Sequence, residues 1–500
     1  MTTLNSTHGV ITKSGFMDSM RCNKMLWLAK HKPELAEPMD EWTRNSLESG
    51  IKVGLLAQKL YPDGTAIDNG HRSISEMRTH TEIARRIEMP IIFGATVAVP
   101  ELGVLCIADM LCHIKNSWAL QEVKACTTLV PDYLFDVAFQ GFCFRAAGYD
   151  IQKFHIIHLN KDYSRNGEID PSSLFLIDDV TEQVVMLIPQ IPNRIKNLHK
   201  ILGGTEEPQC IVGSQCKYDS PCPFYAHCHK GIPDGSVFEL PHHNGKAQNL
   251  FANGIYLIRD IPDWFPLSER QAAVRESAIV GAPVVDIQEI KDFLIGLKYP
   301  LYFLDFEALP CAIPRFNNSA PYQQLPFQFS LHVQHDANQT QEHFEFLTDS
   351  AEDPRKSLID SLLRHIGDEG SVLVWNRSFE TSILKKLAVL YPEHAPKIHS
   401  IIDRIVDLIV PFRSCWWADA RFRGSFSLKS VLPELCPHLS YDALSDIHIG
   451  TQAALEYQQF LDGVTSQEKW MSLRRSMLEY CGLDTLAEFE ILKVLYSVCE

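Results

Sequence analysis

No uncharged apolar run in the sequence is long enough to cross a membrane. The first 30 residues also lack the apolar core of a secretory leader and carry Lys13, Arg21, Lys24 and Lys30 instead. A surplus of positive charge is missing too: 46 Lys and Arg face 62 Asp and Glu, a formal charge of −16. That excludes a generic basic coat for nucleic acid. It does not exclude a nuclease, whose metal-binding carboxylates add negative charge while local basic patches hold phosphate. There is no Cys-x-x-Cys knuckle, no internal repeat and no low-complexity tract. What is present is a 500-residue chain, 45% hydrophobic and 22% charged. This composition predicts a cytoplasmic globular protein, too long for one ordinary core and so built of two or three domains. Fourteen cysteines in that compartment point to thiols rather than disulfides.

The stretch Tyr302-Phe303-Leu304-Asp305-Phe306-Glu307-Ala308 reads as a buried strand with an acidic face. Residues two apart in a strand point to the same side. Asp305 and Glu307 are therefore expected to project together, with Phe303 and Phe306 on or near the opposite, packed side. Two carboxylates about 7 Å apart on one strand face are costly to bury unless a cation lies between them. The alternative is an edge strand with a solvated face.

Upstream, residues 13–30 predict a turn and one amphipathic helix carrying Cys22, and residues 40–60 a second helix. Between 92 and 124 the period changes to three successive strands, with Asp109 near the end of the second and Glu122 and Lys124 sharing a face of the third. Carboxylates so placed would hold a divalent cation, and Lys124 would orient a water or stabilise charge developing on a phosphate. A helix over 134–147 places Gln140 and Phe144 one turn apart, and 153–159 is another strand. As a bare pattern, Asp…Glu-x-Lys also fits an ordinary surface strand.

This order resembles the RecB-like family of restriction-endonuclease-type nucleases over roughly residues 13–230. The resemblance implies Asp109, Glu122 and Lys124 as catalytic residues, with Gln140 on the downstream Gln-x-x-x-Tyr helix and Phe144 in the tyrosine slot. Some members carry a histidine on the early helix; none stands near 48–54, where Glu48 is the available residue.

Residues 210–228, CIVGSQCKYDSPCPFYAHC, hold Cys210, Cys216, Cys222 and Cys228 at a constant interval of six, in a loop rich in Pro, Gly and Asp219. Four thiolates converging from a loop suit a zinc ion. The iron-sulfur subgroup of the RecB-like family instead takes one N-terminal cysteine and three after the nuclease core. That resemblance implies Cys22, Cys216, Cys222 and Cys228 around a four-iron cluster (4Fe-4S), leaving Cys210 outside; Cys210 in place of Cys22, and Zn2+ in place of iron, are the alternatives.

A connector over 236–298 separates an N-terminal domain (1–235) from a C-terminal one (299–500). His242 and His243 in it read as a surface turn. In the last domain, strands at 321–334 and 371–376 alternate with helices at 356–368 and 377–390, and Asp407 follows a further apolar run. A long amphipathic helix closes the chain with Tyr480 and Asp484 on one face. Asp-x-Glu, then Asn-x-x-Phe-acid, then Tyr-x-x-x-Asp resembles the DnaQ-like 3′–5′ exonucleases on a ribonuclease-H-like fold. The resemblance implies Asp305, Glu307, Glu380 and Asp484 as ligands to two Mg2+ or Mn2+ ions. It makes Tyr480 the residue that orients the attacking water, and puts Asn376 and Phe379 in the second motif. Glu380 stands where the family has Asp, so Asp407 is the substitute ligand. Arg413, Trp416, Trp417, Arg421, Arg423 and Lys429 would form a strand-binding wall, or an ordinary packed loop. The joint architecture, with LDFEALPCAIP, PYQQLPFQFSLH and GSFSLKSVLPEL, also resembles an uncharacterised bacterial two-domain family that joins these halves.

The expectation is thus a two-domain α/β protein: a restriction-endonuclease-like α/β domain with an iron-sulfur cluster, then a ribonuclease-H-like α/β domain with a mixed sheet. Its expected function is metal-dependent processing or degradation of DNA, single-stranded or at duplex ends, in repair or defence against foreign DNA. RNA is a possible substrate, a helicase or defence-system protein a possible partner, and no membrane is involved. The competing class is a nucleic-acid-binding protein with degenerate sites and a structural cluster.

Overall fold

The computed structural model describes residues 9–67, 70, 72–217, 220–337, 339–441 and 450–500. These form two compact α/β units: Met1–Lys230 with Ala312–Tyr322, and Gly231–Cys311 with Gln323–Glu500. No helix among the described residues is long and apolar enough to cross a membrane.

In the first unit, α1 (Lys13–Arg21), α2 (Asn23–His31), α3 (Glu41–Gln58) and α4 (Ile74–Arg86) surround a sheet with a short β1 (Ile11–Thr12) and β2 (Thr65–Ala66) at its margins. Its centre is β3 (Ile91–Val99), β4 (Val104–Ile114) and β5 (Ser117–Lys124), an antiparallel meander. The turns that close it place Gly103 and Lys115 at positive φ. The helix α5 (Pro131–Ala146) then crosses over to β6 (Ile151–Leu159), parallel to β5, and β7 (Phe175–Asp179) ends the sheet antiparallel to β6. The helix α5 begins on Pro131, whose missing N–H costs nothing in a first turn. One sheet face packs Leu120, Ile156 and Val97 with Phe139 and Phe144 of α5 and Phe16 of α1. Phe16 and Phe139 stack at 4.7 Å, and each such buried ring contributes about 1.5–3 kcal/mol. The other face packs Phe93, Met110 and Ile157 with Val53 and Ala57 of α3 and Ala312 of the 312–322 segment.

The expected single helix over 13–30 is two helices. Cys22 breaks it with an extended backbone, φ −162°, closing α1 and opening α2. Asp109 is at mid-strand in β4 rather than near its end, next to Met110, which pairs with Gln121 of β5.

In the second unit, β8 (Val284–Val285) precedes β9 (Leu301–Pro310), β10 (Gln324–Gln334), β11 (Glu342–Leu347), β12 (Ser371–Val374) and β13 (Ile405–Asp407). The main sheet runs β11-β10-β9-β12-β13, mixed, with β10 antiparallel to both neighbours and β12 parallel to β9 and β13. Helices α6 (Arg355–His365), α7 (Arg377–Leu390) and α8 (Ala395–Asp403) cover one face. There Tyr302, Leu304, Phe306 and Ala308 meet Leu358, Ile383, Leu387 and Ile398. The chain closes with α9 (Leu428–Leu435), α10 (Gly450–Leu461) and the 31-residue α11 (Gln467–Ser497). Alternation puts Phe303 on the same side as Asp305, not with Phe306: it meets Phe489 of α11 edge to face at 5.5 Å. The acidic face is therefore a second packed face.

Three buried hydrogen bonds fix where α11 lies on that face. Gln328 Nε2 donates to Met477 O (2.8 Å), Ser330 Oγ meets Thr485 Oγ1 (2.7 Å), and Thr485 Oγ1 also meets His332 Nδ1 (2.8 Å). Each is worth about 1 kcal/mol net, but more is lost if one partner is left buried alone. Ser330 pairs across the ladder with Asp305, so anchoring Thr485 on Ser330 brings the adjacent Asp484 to Asp305.

Candidate functional site

The strongest constellation is in the second unit. Asp305 and Glu307 on β9 and Asp484 on α11 each offer a carboxylate oxygen within 4.8 Å of the others. Among the described residues they are the one set of three or more His, Cys, Asp or Glu that converges so closely. At that separation and an effective dielectric constant near 20, each ionised pair repels by about 3 kcal/mol. Burial and mutual repulsion act together. Asp305 and Glu307 are pushed well above the usual carboxylate range, by burial first and then by Asp484 and Asp305 respectively. Burial raises Asp484 to about 7 despite the opposing hydrogen bond from Tyr441 and the charge of Lys429.

The surroundings are partly as expected. Tyr480 is buried beside Asp484 and hydrogen-bonds to it. Tyr441, which sequence reasoning missed, donates its hydroxyl to Asp484 Oδ1. Lys429 lies against both tyrosine rings, 5.1 Å from the Tyr441 centroid and 5.0 Å from that of Tyr480. Burial lowers its pKa while Asp484 and Glu307 raise it. Cys481 Sγ is 3.3 Å from Asp305 Oδ2. At the start of α10, Gly450 lies close against the site: a Cβ there would be 3.1 Å from both Glu307 oxygens, a tight contact.

Glu380, in the first turn of α7, is buried with Oε2 unpartnered, and burial reinforced by Asp305 raises it to about 9. Asp407 is occupied differently. Its oxygens accept from the backbone N–H groups of Asn376 (3.1 Å), Arg377 (3.2 Å) and Ile409 (3.2 Å), so it caps α7. Asn376 is the left-handed residue ahead of that helix, φ 100°, its side chain exposed, and Phe379 packs on the apolar core. Of the six residues offered for a strand-binding wall, Trp417 is the one taken into the fold. Trp417 is buried in β14 (Trp417–Ala418), paired with β8. Arg421 is bound to Asp419 and Glu434, and Arg423 lies 3.5 Å from Asp234. Trp416 is half-buried and Arg413 exposed, leaving Lys429 as the member beside the carboxylates.

Sequence reasoning also missed Glu488, one turn beyond Asp484 and fully buried. The signal was present as the spacing Tyr480, Asp484, Glu488, three polar residues four apart on the buried face of the helix.

The first unit gathers Asp109, Glu122, Lys124 and Gln140, and adds Lys13 and Asp136. Glu122 Oε1 accepts from Lys13 Nζ and from Lys124 Nζ, both at 2.8 Å. Gln140 Nε2 donates to Glu122 Oε2 (2.8 Å) and Asp136 Oδ1 (2.9 Å), and Lys124 Nζ to Asp136 Oδ2 (2.5 Å). Asp109 Oδ2 accepts from the Val123 N–H at 2.8 Å. Burial works to raise Glu122, but Lys13 and Lys124 overcome it and hold the carboxyl below its ordinary range. Asp109 rises to about 6 through burial and the charge of Glu122. Three carboxyls here face two ammonium groups, so this site is nearly neutral as it stands. Gln140 Oε1 is buried without a partner. Phe144 in the tyrosine slot is core, edge-on to Tyr149 at 5.3 Å. Glu48 is exposed on α3. Asp136 could have been found as the residue one turn before Gln140; Lys13 had no local signal.

Five cysteines, not four, line one small cavity: Cys22, Cys210, Cys216, Cys222 and Cys228, with Met25, Leu28 and Phe224. Cys22 Sγ and Cys210 Sγ are 3.6 Å apart, and all are free thiols. Arg21 ties the loop to α1 through Gln215 O (2.6 Å) and Ser220 O (2.7 Å). Residues 218 and 219 of this loop, Asp219 included, lie outside the described residues.

A family model described as "Domain of unknown function (DUF2779)" matches residues 302–427, a span that includes Asp305, Glu307, Glu380 and Asp407 but stops before Tyr480 and Asp484. The "Uncharacterized protein MG366 homolog" of Mycoplasma pneumoniae is 26% identical over 213 residues, 39% of this chain and 32% of the relative. "Uncharacterized protein MG366" of Mycoplasma genitalium is 27% identical over 215 residues, with the same shares. "Uncharacterized protein UU173" of Ureaplasma parvum is 27% identical over 223 residues, 40% of this chain and 32% of the relative. The matches therefore span about a third of the length of these relatives.

Proposed function

We propose that the chain is a metal-dependent nuclease. Its second unit would be a DnaQ-like 3′–5′ exonuclease domain on a ribonuclease-H-like fold, and its first a RecB-like domain with an iron-sulfur cluster. The observation that carries this reading is the convergence of Asp305, Glu307 and Asp484 within 4.8 Å. Glu380 and Glu488 are buried close by, with Lys429 the nearby ammonium group. So much negative charge in one place is stable only with protons or with cations, and oxygen ligands alone select hard ions such as Mg2+ or Mn2+. When bound, such ions polarise a phosphodiester and make a water nucleophilic at neutral pH. Around them Tyr480 and Tyr441 hold their hydroxyls on Asp484, fixing its orientation. Lys429 offers a cation to phosphate at the rim.

The strand order β11-β10-β9-β12-β13 with antiparallel β10, and the meander-helix-strand core of the first unit, support the two domain assignments. The five cysteines that line one cavity support a bound cluster or metal there. Cys22, Cys216, Cys222 and Cys228 are the proposed ligands, with Cys210 the alternative to Cys22. The proposed substrates are DNA ends or single strands, with RNA as the alternative, in the cytoplasm, with a helicase or defence-system protein as partner.

A second reading has one specific observation in its favour. Lys13 and Lys124 already satisfy Glu122, which suits a first unit that binds nucleic acid without cutting it. The experiment is digestion of end-labelled single- and double-stranded DNA and RNA with Mg2+ or Mn2+, using wild type, Asp305→Ala and Glu122→Ala. Cleavage lost in Asp305→Ala supports the exonuclease reading, and no metal-dependent cleavage of any substrate refutes it. Loss in Asp305→Ala alone assigns the activity to the second unit.

A further inference from the structure

The second unit also carries a basic groove, outside the carboxylate cluster. His242, Lys246, Arg270, Arg413 and Phe426 line it with one acid, Glu269, around a volume of about 600 Å³. In a chain of net charge −16, such a local surplus of cations calls for an anionic partner. Arg270 and Arg413 are exposed, and among the described residues neither makes an ion pair or a side-chain hydrogen bond. Arg421 and Arg423, exposed in the same unit, are paired with Asp419 and Asp234.

The groove wall is built around one buried amide, that of Gln271. Its Nε2 donates to Pro241 O (3.0 Å) and His242 O (3.2 Å). Its Oε1 accepts from Lys246 Nζ (2.9 Å) and from the Ser268 N–H (3.1 Å). One side chain thus fixes the turn that carries His242, the ammonium group of Lys246 and the start of the helix Glu269–Val280, on which Arg270 stands.

The other wall leads to the carboxylates. Trp375 stacks on Phe412, the residue before Arg413, at 5.5 Å, and its Nε1 donates to Phe426 O at 3.1 Å. Trp375 follows β12, and the parallel register that sets Leu373 beside Phe303 brings it to the level of Asp305 on β9. Three residues beyond Phe426 comes Lys429, at most about 11 Å further along the chain, and it lies against the rings of Tyr441 and Tyr480. A row of fixed cations with a half-buried aromatic ring at its inner end is the combination that holds a single strand, phosphates on the cations and a base on the ring.

We propose that this groove binds a nucleic-acid single strand and leads its end to the Asp305, Glu307 and Asp484 cluster, with Arg270 and Arg413 contacting phosphates and Phe426 a base. This rests on the nuclease reading above and names the surface that receives its substrate.

Binding of a fluorescein-labelled oligodeoxynucleotide to the full chain, read by fluorescence anisotropy over a salt series, tests it. EDTA and an Asp305→Asn background prevent cleavage. Arg270→Gln/Arg413→Gln should bind at least tenfold more weakly, and the slope of log affinity against log salt should fall by about 1.4, the equivalent of two lost phosphate contacts. Arg270→Lys/Arg413→Lys should keep the slope. So should Lys356→Gln/Lys493→Gln, which removes the same charge from ion pairs elsewhere in the unit. In the presence of Mg2+ and with Asp305 restored, the Gln variant should raise KM on a long strand and leave kcat unchanged. Wild-type affinity and slope in the Gln variant overturn the groove, and so does a chain that binds no strand; metal-dependent cleavage that Asp305→Ala abolishes would still leave the carboxylate reading standing. A loss matched by Lys356→Gln/Lys493→Gln assigns the effect to net charge and overturns it too. Polyglutamate competing as well as unlabelled strand would make this an acidic-peptide surface and refute the strand assignment.

Discussion

Raising the pH of the metal-free protein should destabilise its second unit, and a divalent cation should remove that dependence. In the folded protein the Asp484 carboxyl is raised from 3.8 to about 7 and that of Glu380 from 4.5 to about 9, mainly by burial. Unfolded, both ionise near their ordinary values, so over the neutral range the folded state binds more protons. The stability these groups allow is complete below about pH 4 and is lost as pH rises through 7 and then 9. Each tenfold difference in proton affinity is worth about 1.4 kcal/mol. Asp484 therefore contributes on the order of 4 kcal/mol, and Glu380 on the order of 6 kcal/mol. For a unit of this size, 1 kcal/mol moves the melting temperature by about 2–4 °C, so the Asp484 share is on the order of 10 °C. Thermal melts in EDTA between pH 5 and 9, repeated with excess Mg2+ and with an Asp484→Asn/Glu380→Gln variant, measure it. A melting temperature that is flat across this range in EDTA, or a slope that the double variant keeps, refutes the argument from buried acids.

Other outcomes follow from the first unit and the core. Lys13→Met removes a charged hydrogen bond worth about 1.5–3 kcal/mol from Glu122. In an Asp305→Asn background it should tighten Mn2+ binding by about tenfold or more by calorimetry; weaker binding would mean that Lys13 assists the site rather than blocks it. Cys222→Ser should reduce iron and acid-labile sulfide to background after anaerobic purification, and the Cys22→Ser and Cys210→Ser variants should separate the fourth ligand by the same assay. A colourless, zinc-loaded wild type would contradict the cluster. Trp417→Ala should cost about 3–5 kcal/mol in stability without altering salt-dependent binding of a single strand, as measured by fluorescence anisotropy; weakened binding at unchanged stability would restore Trp417 to a nucleic-acid surface.

The local elements of this chain were legible because each has its own period. The strand 302–308, the meander of 91–124 and the amphipathic final helix announce themselves in the spacing of apolar residues. Asp305, Glu307, Glu122 and Lys124 could be picked out because two-residue alternation fixes which side chains share a face. The same rule, applied strictly, would also have put Phe303 beside Asp305, where it packs on Phe489. Break points were harder to see. Nothing in residues 13–30 marks Cys22 as the hinge between two helices, because its extended backbone is held by the cysteine loop almost two hundred residues away, through contacts such as those of Arg21.

By itself, then, the sequence determined the strands and helices, the order of the acidic motifs and the presence of a cysteine-rich loop, all of which depend on near neighbours in the chain. Tertiary structure alone decided which charges meet. It brought Lys13 onto Glu122, turned Asp407 into a helix cap, and joined Cys210 to the thiol cavity. It also set Glu488 among Asp305, Glu380 and Asp484 with no partner of its own. Electrostatic partnership depends on distance and burial in space, and neither is carried by the spacing of residues along a chain.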